Sequence, residues 1–342
     1  MHERRVKLGY CILFLLLILL TAASLTIGNY NDLSGNDVFQ VLLRRLTGKK
    51  LTISNTAAAI VWNIRIPRTV SAILIGAALS TAGCCYQEIF QNDLASPDIL
   101  GVSSGACVGA ALGIILGVSS STIQLWAFSM GLVTVAMVYL LSGVFRGEKR
   151  VSLPISGILI SGFMNSILGL IKYLANPETQ LPSIVYWTMG DISTIHTEQL
   201  KSVMFPIAGC TLLLLTLRWR LNYFSVAETV SVSMGIDIIK LRILCIVLST
   251  ILVGCAVSVA GTISWIGLVI PHLIKTLFGK NSADTLPLSC LAGSEFLLFV
   301  DIIGRKISTS EIPLSILTGM IGLVVFFGCL FFRRAGQNDT GV

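Results

Sequence analysis

Residues 99–145 contain no charged side chain. Few folds tolerate that. A soluble domain of ordinary composition carries a charge about every four residues, whereas a membrane-crossing helix needs roughly 20 mostly apolar residues. Residues 99–145 therefore read as two spans joined by the polar turn at 117–122. Further charge-free runs cover 8–27, 69–87, 151–171, 202–217, 243–274 and 312–332, and 285–304 holds only Glu295 and Asp301. The run 243–274 turns at 261–264. The reading is ten spans, near 8–27, 66–90, 98–117, 122–145, 151–174, 198–218, 238–261, 264–279, 285–304 and 312–332. Their residues are continuously apolar and do not alternate with period two, so they are helices and not barrel strands. The expected fold is an all-α polytopic membrane protein, with residues 1–342 as one transmembrane domain. Residues 8–27 follow Arg4, Arg5 and Lys7, as the core of a signal peptide would. The apolar run exceeds the roughly 7–15 residues of such a core and lacks a small-x-small cleavage site, so it reads as a retained first span.

Of the 342 residues, 54% are hydrophobic and 12% charged. That excludes a disordered chain, a nucleic-acid-binding module and an ordinary cytosolic enzyme. The net charge of +7 is too thinly spread for a basic face, and a bilayer accounts for it better. Ten spans put both termini on one side. If that side is the cytoplasm, fourteen Lys and Arg lie inside and nine outside, the favoured bias. Six of the nine outer charges fall in or just after one long segment, 28–63: Arg44, Arg45, Lys49, Lys50, Arg65 and Arg68.

The nine cysteines lie in apolar runs and form no C-x-x-C pair, which argues against a metal or redox site. Cys84 and Cys85 would point apart on a helix. Gly101, Gly105, Gly109, Gly113 and Gly117 recur every four residues. Such a bare helix face lets neighbours approach closely, which is how membrane helices gain packing energy. No G-x-x-x-x-G-K-[ST], H-E-x-x-H or G-x-S-x-G occurs, and no catalytic dyad is evident. Mid-membrane ionisable groups are sparse, which disfavours an ion-coupled carrier.

Several stretches, taken in order, are more specific: WNIRIPRT at 62–69 with IGAALSTAG at 75–83, FQNDLASPDILGVSSG at 90–105, GTISWIGLVIPHL at 261–273, 286–305 ending in Asp301-x-x-x-Arg305, and EIPLSILTGMIG at 311–322. Together they resemble the FecCD family, the permease subunits of ABC importers for iron-siderophore, haem and cobalamin. The resemblance implies the ten-helix, cobalamin-permease-like (type II) fold. It implies a homodimer in the cytoplasmic (inner) membrane with both termini cytoplasmic. It also implies two ABC ATPase subunits that hold ATP-Mg, so that this chain binds no cofactor, and an extracytoplasmic substrate-binding protein.

By the same resemblance, Arg65, Arg68 and Arg305 form an outer rim that meets acidic residues of the binding protein. A basic rim of this kind would steer and orient an acidic partner. Residues 222–237 resemble the coupling segment that fits an ATPase cleft. At the motif positions stand Ala227, Glu228, Ser231, Met234 and Gly235, with the acid and final glycine kept and the small residues still small. Asn92 and Leu94 match the loop at the cytoplasmic gate. The family's proline is Asp93 here, which could cap the span beginning near Pro97. His272 reads as a structural hydrogen-bonder and not an iron ligand, and Pro154, Pro206 and Pro313 as kinks or helix starts. The expected function is the membrane subunit of an ATP-driven importer of an iron complex, siderophore or haem. Cobalamin or an oxyanion stands as the alternative cargo. The competitors are an ion-coupled secondary transporter and an intramembrane enzyme.

Overall fold

The computed structural model describes residues 2–28, 35–47, 55–145, 147–226, 235–307 and 312–338. No strand occurs among them. Seven helices are long and apolar enough to cross a membrane, and three shorter apolar ones bring the number to ten. The crossing helices are α1 (His2–Thr26), α4 (Ile66–Phe90), α5 (Val102–Ile115), α6 (Ser120–Val144), α7 (Lys149–Leu174) and α9 (Thr197–Leu221), then α10 (Ile238–Ala260), α11 (Ile266–Phe278), α12 (Ser282–Ile307) and α13 (Leu314–Asn338). Three extra helices, α2 (Gly35–Thr47), α3 (Asn55–Ile60) and α8 (Gln180–Met189), lie in connections read as loops. Before α8, Asn176 closes a turn: its side chain accepts from the backbone N–H of Glu178 and Thr179.

Successive crossings alternate in direction, and two sets of bonds mark the two ends. At the end bearing the N-terminus, His2 pairs with Asp284, Asn222 with Asn281, and Lys280 with Asp93. At the far end, Asp191 N–H donates to Ala260 O, Leu314 N–H to Gly190 O, and Thr262 Oγ1 to Thr188 O. These bonds tie the end of α8 to the end of α10, the connection after it and the start of α13.

The core is built on α4, which is nearly buried along its length. A wide π turn, Val61–Arg65, joins it to α3. Pro67 follows directly, and its ring cannot tolerate an α-helical carbonyl four residues back. Backbone meets backbone where α4 touches its neighbours. A Cβ on Gly76 would overlap the carbonyl of Gly293 in α12, and one on Gly83 that of Gly267 in α11. In lipid there is no hydrophobic drive between helices, so such close van der Waals contact is the main source of association.

Two spans are shorter than the sequence suggested. The segment 98–117 contains only the 14-residue α5, and 264–279 only the 13-residue α11. Apolar composition persists through the preceding connections, although their backbone is not α-helical. Irregular backbone at membrane depth is tolerated where protein buries it, and Pro97, Leu100, Gly101 and Ile263 are buried.

Candidate functional site

At the far end, Arg65 and Arg305 reach the end of α1, and Arg68 joins Arg305 on Asp301. Arg65 Nη1 donates to Leu25 O at 2.7 Å and Thr26 O at 3.0 Å. Arg305 Nη1 donates to Ser24 O at 2.9 Å and Ile27 O at 3.0 Å, and its Nη2 to Ser24 Oγ at 2.6 Å. Arg68 Nε donates to Asp301 Oδ1 at 2.8 Å, and Arg305 Nη2 bonds Asp301 Oδ2. The last carbonyls of a helix lack intrahelical donors and carry the negative end of its dipole. The last turn of α1 holds no basic residue, so the π turn (Arg65) and α12 (Arg305) supply its cap. This corrects the reading of Arg65, Arg68 and Arg305 as an open basic rim. They are 3%, 9% and 6% exposed, and their charges point inward onto Asp301 and the α1 carbonyls. A partner's carboxylate would have to displace those bonds to reach them.

At the opposite end lies the loop that joins α4 to α5. Asn92 Oδ1 accepts from Leu94 N–H at 3.0 Å, closing a small turn with Leu94 exposed at its tip. Asp93 does not cap the helix at Pro97; the residue at that cap, Ser96, makes no side-chain bond there either. Instead, Asp93 reaches Lys280 at 2.9 Å and Lys275 at 3.4 Å, both at the end of α11 or just beyond. Lys275 Nζ also pairs with Glu88 of α4 at 2.9 Å. Arg150 of α7 bonds Gln91 Oε1, and Gln87 Nε2 donates to Leu268 O at 3.2 Å. The candidate gate loop is thus pinned to α4, α7 and α11 at once.

Partial burial would raise the Asp93 carboxyl, but the hydrogen bond from Lys280 and the charge of Lys275 outweigh it and hold the group below the usual carboxylate range. A depressed acid contributes stability above its unfolded value of about 4 and loses it as pH falls through the lower folded one. The latch is therefore intact at neutral pH.

The two lysines differ in what they stand to lose. Lys275 is almost wholly enclosed, whereas the Lys280 side chain is 78% exposed. Lys275→Met should cost about 3 kcal/mol, because Glu88 is left buried without its cation. Lys280→Met should cost under about 1 kcal/mol. Thermal unfolding of the two variants in detergent checks the contrast, and equal losses would contradict the burial argument.

Of the five glycines at four-residue spacing, three pack as expected. A Cβ on Gly105 would overlap Thr134, one on Gly109 the carbonyl of Trp126, and one on Gly113 would stand 3.0 Å from Ile123. These contacts seat α5 against α6. Gly101 and Gly117 instead bracket the helix as turn residues with φ of +73° and +64°, a backbone that glycine adopts without strain. His272 is also corrected: its Nδ1 is buried without a hydrogen bond among the described residues, and its ring lies 5.3 Å from that of Phe326. It packs as an aromatic. Of the coupling segment, Ala227, Glu228, Ser231 and Met234 lie outside the described residues; Gly235 is described, exposed, with φ +76°. No group of three or more His, Cys, Asp or Glu among the described residues is placed to hold a metal.

Comparison with known proteins places these features in a family. The profile described as the FecCD transport family matches residues 15–333. The molybdate import system permease protein MolB of Haemophilus influenzae is 37% identical over 329 residues, 96% of each chain. The ferric enterobactin transport system permease protein FepD of Escherichia coli is 33% identical over 92% of each. A solved structure described as an inward-facing metal-chelate type ABC transporter matches with a TM-score of 0.84 at 35% identity, over 95% of this chain and 99% of the other.

Proposed function

The chain belongs to the FecCD transport family, and from that premise we propose that it is the permease subunit of an ATP-binding-cassette importer. The carrying observation is the fold match at 35% identity over nearly the whole of a metal-chelate type ABC transporter chain. Two copies enclose the pathway. Their apolar faces on α7 (Ile158, Phe163) and α13 (Met320, Val324), exposed in the single chain, suit a second copy or lipid. Two ATPase subunits attach through 222–237, and a substrate-binding protein delivers cargo on the other side. The domain is single, lies in the cytoplasmic membrane, and keeps both termini in the cytoplasm. It carries no ATPase site, so nucleotide chemistry belongs to the partner.

ATP binding moves the coupling segments and rocks the two copies between outward- and inward-open states. The proposed cargo is an iron complex, siderophore or haem, in line with FepD. A second reading, a molybdate-like oxyanion, is favoured by the 37% identity to MolB.

The test is reconstitution in proteoliposomes with the ATPase and binding protein of the same system. Uptake of a ferric siderophore should require both partners and ATP. Uptake that persists without the ATPase, or that collapses with a proton uncoupler while ATP remains, would overturn the reading. Molybdate uptake in place of iron would select the second cargo. In the same assay Ser231→Trp should leave ATP hydrolysis running while uptake falls by tenfold or more; normal coupled uptake would remove the coupling role from 222–237.

A further inference from the structure

The connection between α4 and α5 does not stay at the end of the molecule where α4 finishes. After Phe90 the chain turns back, and the 3-10 turn Pro97–Leu100 rises into the bundle. Two independent contacts fix its height. Pro97 sits where a Cβ on Gly267 would meet both the Pro97 ring and Leu79 O. Leu79 is eleven residues before the end of α4, on the order of 16 Å at 1.5 Å per residue. The carbonyl of Ile99 lies against Gly157 and Gly101 against Ser161. Those positions are eight and twelve residues into α7, on the order of 12–18 Å. Both measures put the turn near the middle of a hydrocarbon layer about 30 Å thick.

Asp98 stands on this turn, flanked by the buried Pro97 and Leu100, and is itself exposed. The one side chain bonded to its carboxylate among the described residues is that of Ser103, whose hydroxyl donates to Oδ1. No described ion pair includes it. An intramembrane carboxylate without an ion partner does not face lipid. Such groups face the bundle interior or a water-filled cavity. The turn is held from behind by α4, α7 and α11, which leaves one side of it open.

We propose that Asp98 is a charge-selectivity residue of the translocation pathway, presenting one carboxylate per copy to water at mid-depth. The proposal rests on the two-copy permease reading above and refines its cargo. Carboxylate rings lining a pore favour cations and disfavour anions. A small, multiply charged oxyanion would meet two like charges at the narrow middle of its route. A neutral or cationic face of a metal complex would not. The observation thus weighs against the oxyanion reading.

The test uses the importer complex in nanodiscs and needs neither cargo nor ATP. A reporter cysteine, Ser103→Cys, is reacted with a cationic and an anionic water-soluble methanethiosulfonate, and the two rates are normalised to free cysteine. The unmodified chain gives the background from its own cysteines. Ser104→Cys, one residue on and partly exposed, repeats the measurement in case loss of the Ser103 hydroxyl disturbs the turn. The expected normalised preference for the cation is about tenfold, within the range that like-signed clefts produce. It should fall to near unity on Asp98→Asn in complexes that still elute intact. Two results would overturn the proposal: no labelling at either reporter while Tyr173→Cys, 85% exposed at the far end, reacts; or a preference that Asp98→Asn leaves unchanged. Failure of ATP-driven uptake would overturn the importer reading and leave these rates untouched, so the two failures are distinguishable.

Discussion

Gly83→Ala should abolish accumulation of well-folded protein, although it adds one methyl group. That methyl would overlap the carbonyl oxygen of Gly267 and stand 2.5 Å from its carbonyl carbon and 2.7 Å from its Cα. All three are backbone atoms, so no rotamer change relieves the clash; α4 and α11 must separate. Separation also strains the Gln87 bond to Leu268 O and the seat of Pro97 on Gly267. Overpacking typically costs about 1–3 kcal/mol and more where nothing yields, so this site should sit at or above the top of that range. Gly162→Ala in α7 and Gly143→Ala in α6 are the controls, since a Cβ there meets nothing within 4 Å. They should be neutral, or stabilising by up to about 1 kcal/mol from helix propensity. The readout is the monodisperse fraction and the unfolding temperature in detergent. If Gly83→Ala behaves like Gly162→Ala, the backbone contact does not hold.

Asp301→Asn should be nearly as damaging, at about 3–5 kcal/mol, the usual loss when one member of a buried charge pair is removed. Asp301 is fully buried and serves Arg68 and Arg305 together. Without its charge, two buried guanidiniums repel each other, and the cap on α1 loosens. Lys306→Ala, next along and exposed, should change the unfolding temperature little. Arg305→Glu separates the clamp from a docking surface. If the variant unfolds at the normal temperature yet loses its binding protein, the arginine belongs to docking; if stability collapses first, it belongs to the clamp.

The ten crossings were legible because exclusion of charge from lipid is imposed residue by residue. Hydropathy does not register whether buried apolar backbone is helical. Residues 98–101 therefore looked like helix and are a connection, whereas the turn read at 261–264 is present between Ala260 and Ile266; the three short helices α2, α3 and α8 went unseen. For α8 a local signal existed, since Asn176 and Pro177 mark a turn just before it. The arginines were placed together at one end, where they lie, but their direction was not readable. What turns them inward is the bare end of α1, some 40 residues before Arg65 and 280 before Arg305 in the chain. Asp93 followed the same rule: its partners come from α11, and the chain around it offers only a cap. Asp98 lay within a motif that the sequence reading assigned to the gate loop, and its depth emerges only from contacts with α7 and α11.

Where glycine carbonyls touch across α4, α11 and α12, no layer of side chains lies between the helices to let one glide along another. That trio acts as a stator. Shear within it is opposed by the same atoms that hold it together, so a swing of the other helices about this slab is the easier motion.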